Sequence, residues 1–204
     1  MLIVVDYGMG NLGSIINMLN RIGIESCASA EEKDIESAEK LILPGVGAFD
    51  SGMRNLLERN LVGVLNRRVI EEKIPILGIC LGMQLMTKKS QEGSVAGLGW
   101  FDAMTKKIGF DNPADKLKIP HMGWNSIQVK RNNSLFDSAE ENTRFYFLHS
   151  YYVECNNKED ILATTSYGYD FPSVINRGNI YGVQFHPEKS HKFGMKLMEN
   201  FAKA

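Results

Sequence analysis

Ile76-Leu77-Gly78-Ile79-Cys80-Leu81-Gly82-Met83-Gln84-Leu85-Met86 decides how the rest of this chain is read. An apolar run leads into Gly78-Ile79-Cys80-Leu81-Gly82, and helix-forming residues follow at once. That order predicts a buried strand, a sharp turn carrying a nucleophile, and a helix N-terminus. Glycines two before and two after Cys80 remove side chains that would collide where strand and helix approach closely, and the nucleophile itself tolerates a strained backbone. A helix N-terminus offers partial positive charge and free N–H groups, which favour a thiolate and bind a developing oxyanion. The alternative is a buried structural cysteine on a core strand, the commoner fate of a lone Cys.

Upstream, Leu2 to Val5 read as a fully buried, β-branched strand of a parallel sheet. Asp6-Tyr7-Gly8-Met9-Gly10-Asn11 is a turn-rich loop at its end. Leu12, Ile15, Ile16, Leu19 and Ile22 follow helical spacing, with Gly23 as the stop. A dinucleotide fingerprint is disfavoured here: the glycine spacing is wrong, one helical unit precedes Leu41, and Asp34 and Glu36 sit in polar sequence. Lys40-Leu41-Ile42-Leu43 is the next buried strand and runs into Pro44-Gly45-Val46-Gly47-Ala48-Phe49-Asp50. With nothing titratable before Asp50, that loop presents backbone: N–H groups aimed at an oxyanion, or simply a tight turn. Residues 51 to 72 predict one or two helices, and Pro75 starts the strand that ends at Cys80. The first half therefore reads βαβαβα, with loops 6–11, 44–50 and 78–82 at strand C-termini, where open α/β sheets place ligands.

Downstream from about residue 93 the texture changes. Strand-like segments are predicted near 101–108, 126–130, 144–148, 161–165, 172–176 and 180–185, with an amphipathic closing helix from Lys192 to Lys203. With no linker-like stretch between the halves, residues 1–204 read as one domain. Apolar content of 44% and a net charge of −1 describe a globular protein without a nucleic-acid-binding or membrane-surface signature. No stretch approaches ~18 apolar residues, and the start lacks a basic n-region, so a cytoplasmic location without a membrane span is expected. Cysteines at 27, 80 and 155 make neither a disulfide framework nor a metal pair. No metal or organic cofactor is expected.

The last buried strand delivers His186-Pro187-Glu188. A cysteine nucleophile needs a base within hydrogen-bond reach and a third group to orient that base. An imidazole and a carboxylate two residues apart, stiffened by Pro187, meet that need, although alone they would be an ordinary strand terminus. Cys27, Cys155, His121, His149 and His191 receive no catalytic role, because the cysteines lack a glycine elbow and the histidines a paired acid. A papain-like protease is disfavoured, because its cysteine is followed by a different local signature and this chain reads as α/β with the base on a late strand.

Cys80 in Gly-Ile-Cys-Leu-Gly-Met-Gln and His186-Pro187-Glu188 after Gly-Val-Gln-Phe resemble the triad-type, class I glutamine amidotransferases. Five blocks spanning the chain narrow the resemblance: Asp6 to Leu12, Pro44 to Phe49, Pro120 to Asn125, Phe147 to Tyr152, and His186 to Ser190. They are similar to the glutaminase-subunit family of imidazole glycerol phosphate synthase. The resemblance implies an α/β fold with a central, mostly parallel sheet flanked by helices and a β-rich second half. It implies a hydrolase that forms a glutamyl thioester on Cys80, with His186 as acid and base and Glu188 holding its ring. Oxyanion donors would come from Leu81 and from Gly45, Val46 and Gly47. Gly47, Gln84, Glu92, Ser150 and Tyr151 match glutamine-binding positions, and Met9, Gly10, Asn11, Trp124, Asn125 and Lys189 match partner-interface positions. The implied assembly is a heterodimer with a (β/α)₈-barrel cyclase that uses the ammonia to make imidazole glycerol phosphate and AICAR in histidine biosynthesis. In that family the glutaminase is nearly idle until the partner binds its substrate. Two alternatives remain at this stage: a paralogue feeding a sugar-modifying synthetase of surface-polysaccharide synthesis, and a non-catalytic regulatory protein on the same fold. Ser190 to Met195 and the Lys116–Ile119 lead into Pro120 fit either partner.

Overall fold

The computed structural model describes residues 1–110, 117–136 and 143–204, so Lys116 lies outside the described residues. The main sheet runs, in spatial order, Ser26–Ser29, Leu2–Val5, Lys40–Leu43, Ile76–Ile79, Ile180–Val183, Tyr169–Arg177, Ile161–Tyr167 and Gln128–Val129. Neighbours among the first five pair in parallel, and each later neighbour pairs antiparallel. All four residues of Leu2–Val5, Ile76–Ile79 and Ile180–Val183 are buried, as strands covered on both faces require.

Alternation along these strands sends side chains into two layers. Ile3, Val5, Leu41, Leu43 and Ile76 pack against Phe49, Met53, Leu56, Leu61 and Leu65 of the Phe49–Glu58 and Leu61–Asn66 helices. Leu2, Val4, Ile42, Leu77, Ile79 and Val183 face Ile15 and Leu19 of the Leu12–Arg21 helix and Leu197, Met198 and Phe201 of the closing helix, His191–Lys203. Burying each of those closing-helix side chains contributes about 1.5–3 kcal/mol, which holds that helix against the sheet. The architecture is the expected mostly parallel α/β sheet flanked by helices.

The stretch before Leu41 differs from the expected single helical unit. Ser26–Ser29 forms an edge strand beside Leu2–Val5, and Glu32–Ser37 a short second helix. Ser-Cys-Ala-Ser has no β-branched run, and three of its four residues are not fully buried, so backbone pairing rather than side-chain pattern makes this strand. Two further strands, His121–Ser126 and Tyr151–Cys155, lie outside the predicted segments apart from Ser126. His121–Ser126 pairs with Arg144–His149, and Tyr151–Cys155 with Ala103–Lys107, which also pairs with Lys89–Ser90. The predicted strand over 180–185 is regular only to Val183, although the Gln184 N–H still donates to the Ser173 carbonyl at 2.9 Å before the chain reaches His186.

Candidate active site

Two adjacent parallel strands, Ile76–Ile79 and Ile180–Val183, are in register with Gly78 opposite Gly182. Their C-termini therefore deliver Cys80 and His186 to one edge of the sheet, although the residues are more than a hundred apart in sequence. The Cys80 N–H donates to the Val183 carbonyl at 2.7 Å, pinning one strand end to the other. Cys80 has φ 53° and ψ −106°, a conformation that costs a non-glycine residue about 1–3 kcal/mol. The strain turns the chain at once into the Leu81–Leu85 helix. A Cβ at Gly82 would lie 1.9 Å from the Leu43 carbonyl oxygen, and one at Gly78 would lie 2.8 Å from the Gly82 carbonyl carbon. Close approach therefore requires both flanking glycines. Among the described residues the Leu81 N–H has no hydrogen-bond partner.

His186 Nδ1 lies 2.8 Å from Glu188 Oε1, with both side chains buried, and His186 shares a cavity wall with Cys80. Burial opposes a charge on His186, but Cys80 and Glu188 outweigh it by hydrogen bonding and Coulombic attraction, raising its pKa to about 10. Ser190, fully buried, ties the segment down: its hydroxyl donates to the His186 carbonyl at 2.6 Å and accepts from the Tyr146 N–H at 3.0 Å. The His186 N–H donates to the Tyr146 carbonyl at 2.9 Å. The line sulfur, imidazole, carboxylate is thus set by backbone hydrogen bonds on neighbouring strands. Its chemistry is nucleophilic attack with proton transfer.

A cavity of about 270 Å³ lies against Cys80 and His186 and brings together Val46, Gly47, Leu81, Gln84, Glu92, Ser150 and Tyr151, with His149 and Lys189 also in its wall. Gly45 does not line it. It lies below, where an added Cβ would come 2.7 Å from both Leu81 Cβ and Tyr7 Oη. Tyr7 Oη donates to the Pro44 carbonyl, and burial raises the Tyr7 pKa well above its ordinary value, so that donor is permanent. Gly47 has φ +123° and would press against Met9 Cε if it carried a side chain. Glu92, which in sequence resembles a solvated surface charge, accepts from the Phe49 N–H at 2.8 Å and so caps the Phe49–Glu58 helix.

The anticipated partner-facing residues divide. Trp124 is 43% exposed and stacks on His191, next to Met122, which is 65% exposed. Lys189 is exposed over the Tyr146 ring. Gly10 and Asn11 are exposed and Met9 half-buried in the first loop. The Asn11 side chain also accepts from the Ser14 N–H as a helix cap. Asn125 is half-buried and donates to the Ser166 carbonyl at 3.0 Å. Among the described residues no group of three or more His, Cys, Asp or Glu is placed to hold a metal ion, and no helix is long and apolar enough to cross a membrane.

Sequence reasoning missed three polar residues around the site: His149, Ser190 and Gln184. His149 Nδ1 meets the Tyr151 carbonyl at 2.8 Å, so it is protonated there. Its Nε2 then accepts from His121 Nδ1 at 3.0 Å. Burial lowers His149 to about 3 and His121 to about 4. The unfolded chain takes up these protons as pH falls through the ordinary value of 6.5, while the folded one does not. Stability should therefore fall from pH 6.5 down to about 4, by roughly 1.4 kcal/mol per histidine per pH unit. Denaturant unfolding at pH 6, 5.5 and 5, below the window in which His186 acts in the opposite direction, checks this; a flat curve there would contradict the neutral pair. Gln184 carries a visible signal, a lone polar residue in Val183-Gln184-Phe185, and is fully buried.

The family model described as glutamine amidotransferase class-I matches residues 3–204. The chain is 56% identical over 203 residues to imidazole glycerol phosphate synthase subunit HisH 2 of Methanococcus maripaludis, covering 100% of this chain and 99% of that one. It is 47% identical over 199 residues to imidazole glycerol phosphate synthase subunit HisH of Leptospira borgpetersenii, covering 98% of each. A solved structure described as a glutamine amidotransferase superposes with a TM-score of 0.75 at 19% identity, covering 98% of this chain and 97% of that one, a likeness of fold.

Proposed function

Because the chain belongs to the glutamine amidotransferase class-I family, we propose that Cys80, His186 and Glu188 hydrolyse glutamine and that the ammonia serves an imidazole glycerol phosphate synthase. The observation that carries the reading is the buried Cys80–His186–Glu188 line opening onto the cavity. The Cys80 thiolate attacks the side-chain carboxamide carbon. The resulting oxyanion is met by the Leu81 N–H and a second N–H from the Gly45–Gly47 loop. His186 gives its proton to the leaving ammonia, and a glutamyl thioester remains. Water then enters, His186 takes its proton, and the attack releases glutamate and restores the thiolate. Glu188 holds the His186 ring and stabilises its charge throughout. Glu92 receives the substrate α-ammonium. Gln84 offers its side-chain oxygen, because its NH₂ is already committed to the protein. Ser150 and Tyr151 complete the wall.

The partner is a (β/α)₈-barrel cyclase of histidine biosynthesis, bound across the Trp124, Lys189 and 9–11 surface, in the cytoplasm. Three free cysteines are compatible with that compartment. Contact between loops supports partner control of the reaction. Gly10 lies so close to Pro44 and Gly45 that a Cβ would fall 3.1 Å from Pro44 Cβ, and Met9 packs on Gly47. A partner seated on residues 9–11 therefore presses directly on the oxyanion loop.

Glutamate release tests this, measured for the chain alone and with the cyclase and its ribonucleotide substrate. The expected rise is at least ~100-fold, or about 2.7 kcal/mol of barrier. Full activity of the isolated chain, or none with the loaded partner, would overturn the assignment.

A further inference from the structure

Resting on that reading of Cys80 as the nucleophile, we infer that Gln184 is a positioning residue, donating a hydrogen bond to the Cys80 sulfur from the protein interior in an orientation locked by Gln84. Gln184 follows directly on the Ile180–Val183 strand and has no solvent exposure. Its Nε2 lies 3.7 Å from Cys80 Sγ. Its Oε1 lies 3.2 Å from Gln84 Nε2, and that same nitrogen lies 3.0 Å from the Tyr151 carbonyl oxygen.

A carboxamide fits a site either way round, so its direction follows from its neighbours. The Tyr151 carbonyl can only accept, so Gln84 turns its NH₂ toward it. The second hydrogen of that NH₂ reaches Gln184, which answers with its oxygen. The Gln184 NH₂ is then left facing the sulfur. One backbone carbonyl thus sets the polarity of the whole chain of contacts.

Other polar groups near the sulfur are the His186 ring, which lines the same cavity, and the Leu148 carbonyl, at 3.9 Å. A carbonyl oxygen disfavours a thiolate, and His186 gives up its proton during each turnover. The Gln184 amide has no proton to lose, so its N–H stays available whenever the sulfur is anionic, both in attack and in release of the thioester. Hydrogen bonds to ionised groups are roughly twice as strong as neutral ones, which favours a buried amide for this duty.

The test uses the full chain, alone for alkylation and with its partner for turnover. Gln184→Glu keeps the oxygen that Gln84 binds and replaces the NH₂ that faces sulfur. Gln184→Met removes both polar ends without adding charge. Iodoacetamide alkylation is followed at the Cys80 peptide across pH, with Cys80→Ser as the blank, together with kcat, KM and the melting temperature. The profile should move to higher pH, with alkylation at pH 7 about tenfold slower. In turnover, kcat should fall at least about tenfold and KM change less than about twofold. If Gln184→Glu fails to fold, Gln184→Met decides. A folded variant with the wild-type profile, or one that only melts earlier, overturns the inference. If the wild-type chain alkylates at Cys80 but hydrolyses no glutamine with its partner, the proposed function falls instead, and the alkylation profile still judges Gln184.

Discussion

Cys80→Ala should abolish glutamate release, by about 10⁴–10⁶-fold, in the presence of partner and ligand. The loss follows from removing the atom that bonds to the substrate, which nothing nearby replaces. Cys155 sits beside Asp160, and burial followed by that carboxylate pushes its thiol up to about 12, so it is no substitute nucleophile. The fold should survive, because alanine keeps the backbone and removes one atom from a site that opens onto a cavity. Glutamate release and thermal unfolding of the same preparation check both halves. Activity above about 1% of the parent in a folded variant would mean that the nucleophile lies elsewhere.

Gly82→Ala should have the largest effect on folding, costing about 3–5 kcal/mol or leaving the chain insoluble. Its new Cβ would lie 1.9 Å from the Leu43 carbonyl oxygen and 3.3 Å from that of Pro44. Neither neighbour is the free end of a side chain. Leu43 belongs to a strand paired on both sides within the sheet, so yielding would break ladder hydrogen bonds. Gly63→Ala is the matched control: it lies in the Leu61–Asn66 helix with nothing within 4 Å of an added Cβ. Helix propensity predicts a gain of up to about 1 kcal/mol there. Chemical unfolding of the two variants beside the parent separates a clash at the elbow from a general intolerance of substitution.

What was readable in the sequence was local. The elbow shows because a continuous apolar strand, a cysteine and two flanking glycines lie within a few residues, and His186-Pro187-Glu188 is equally compact. The central strands show because burial on both faces demands uninterrupted apolar runs. The edge strand Ser26–Ser29 does not, since its register comes from backbone bonds to Leu2–Val5 and not from its own side chains. Glu92 looked like solvent-facing charge because its partner, the Phe49 N–H, is 43 residues away. Gln184 and His149 escaped for the same reason. A buried amide or imidazole takes its role from what it touches, and the Gln84, Cys80 and His121 partners come from distant parts of the chain.

The placing of Ile180–Val183 next to Ile76–Ile79 has a consequence for biosynthesis. A ribosome making this protein completes the nucleophile long before it makes the base. Until synthesis has passed residue 186, the Ile76–Ile79 strand lacks its later neighbour, and the Cys80 N–H has no Val183 carbonyl to hold it in its strained turn. Inserting a late strand into the middle of a sheet is a high-contact-order step, paid in loop-closure entropy. A chain that ends before residue 186 therefore carries Cys80 without its base, and glutamine is not hydrolysed until the protein is whole.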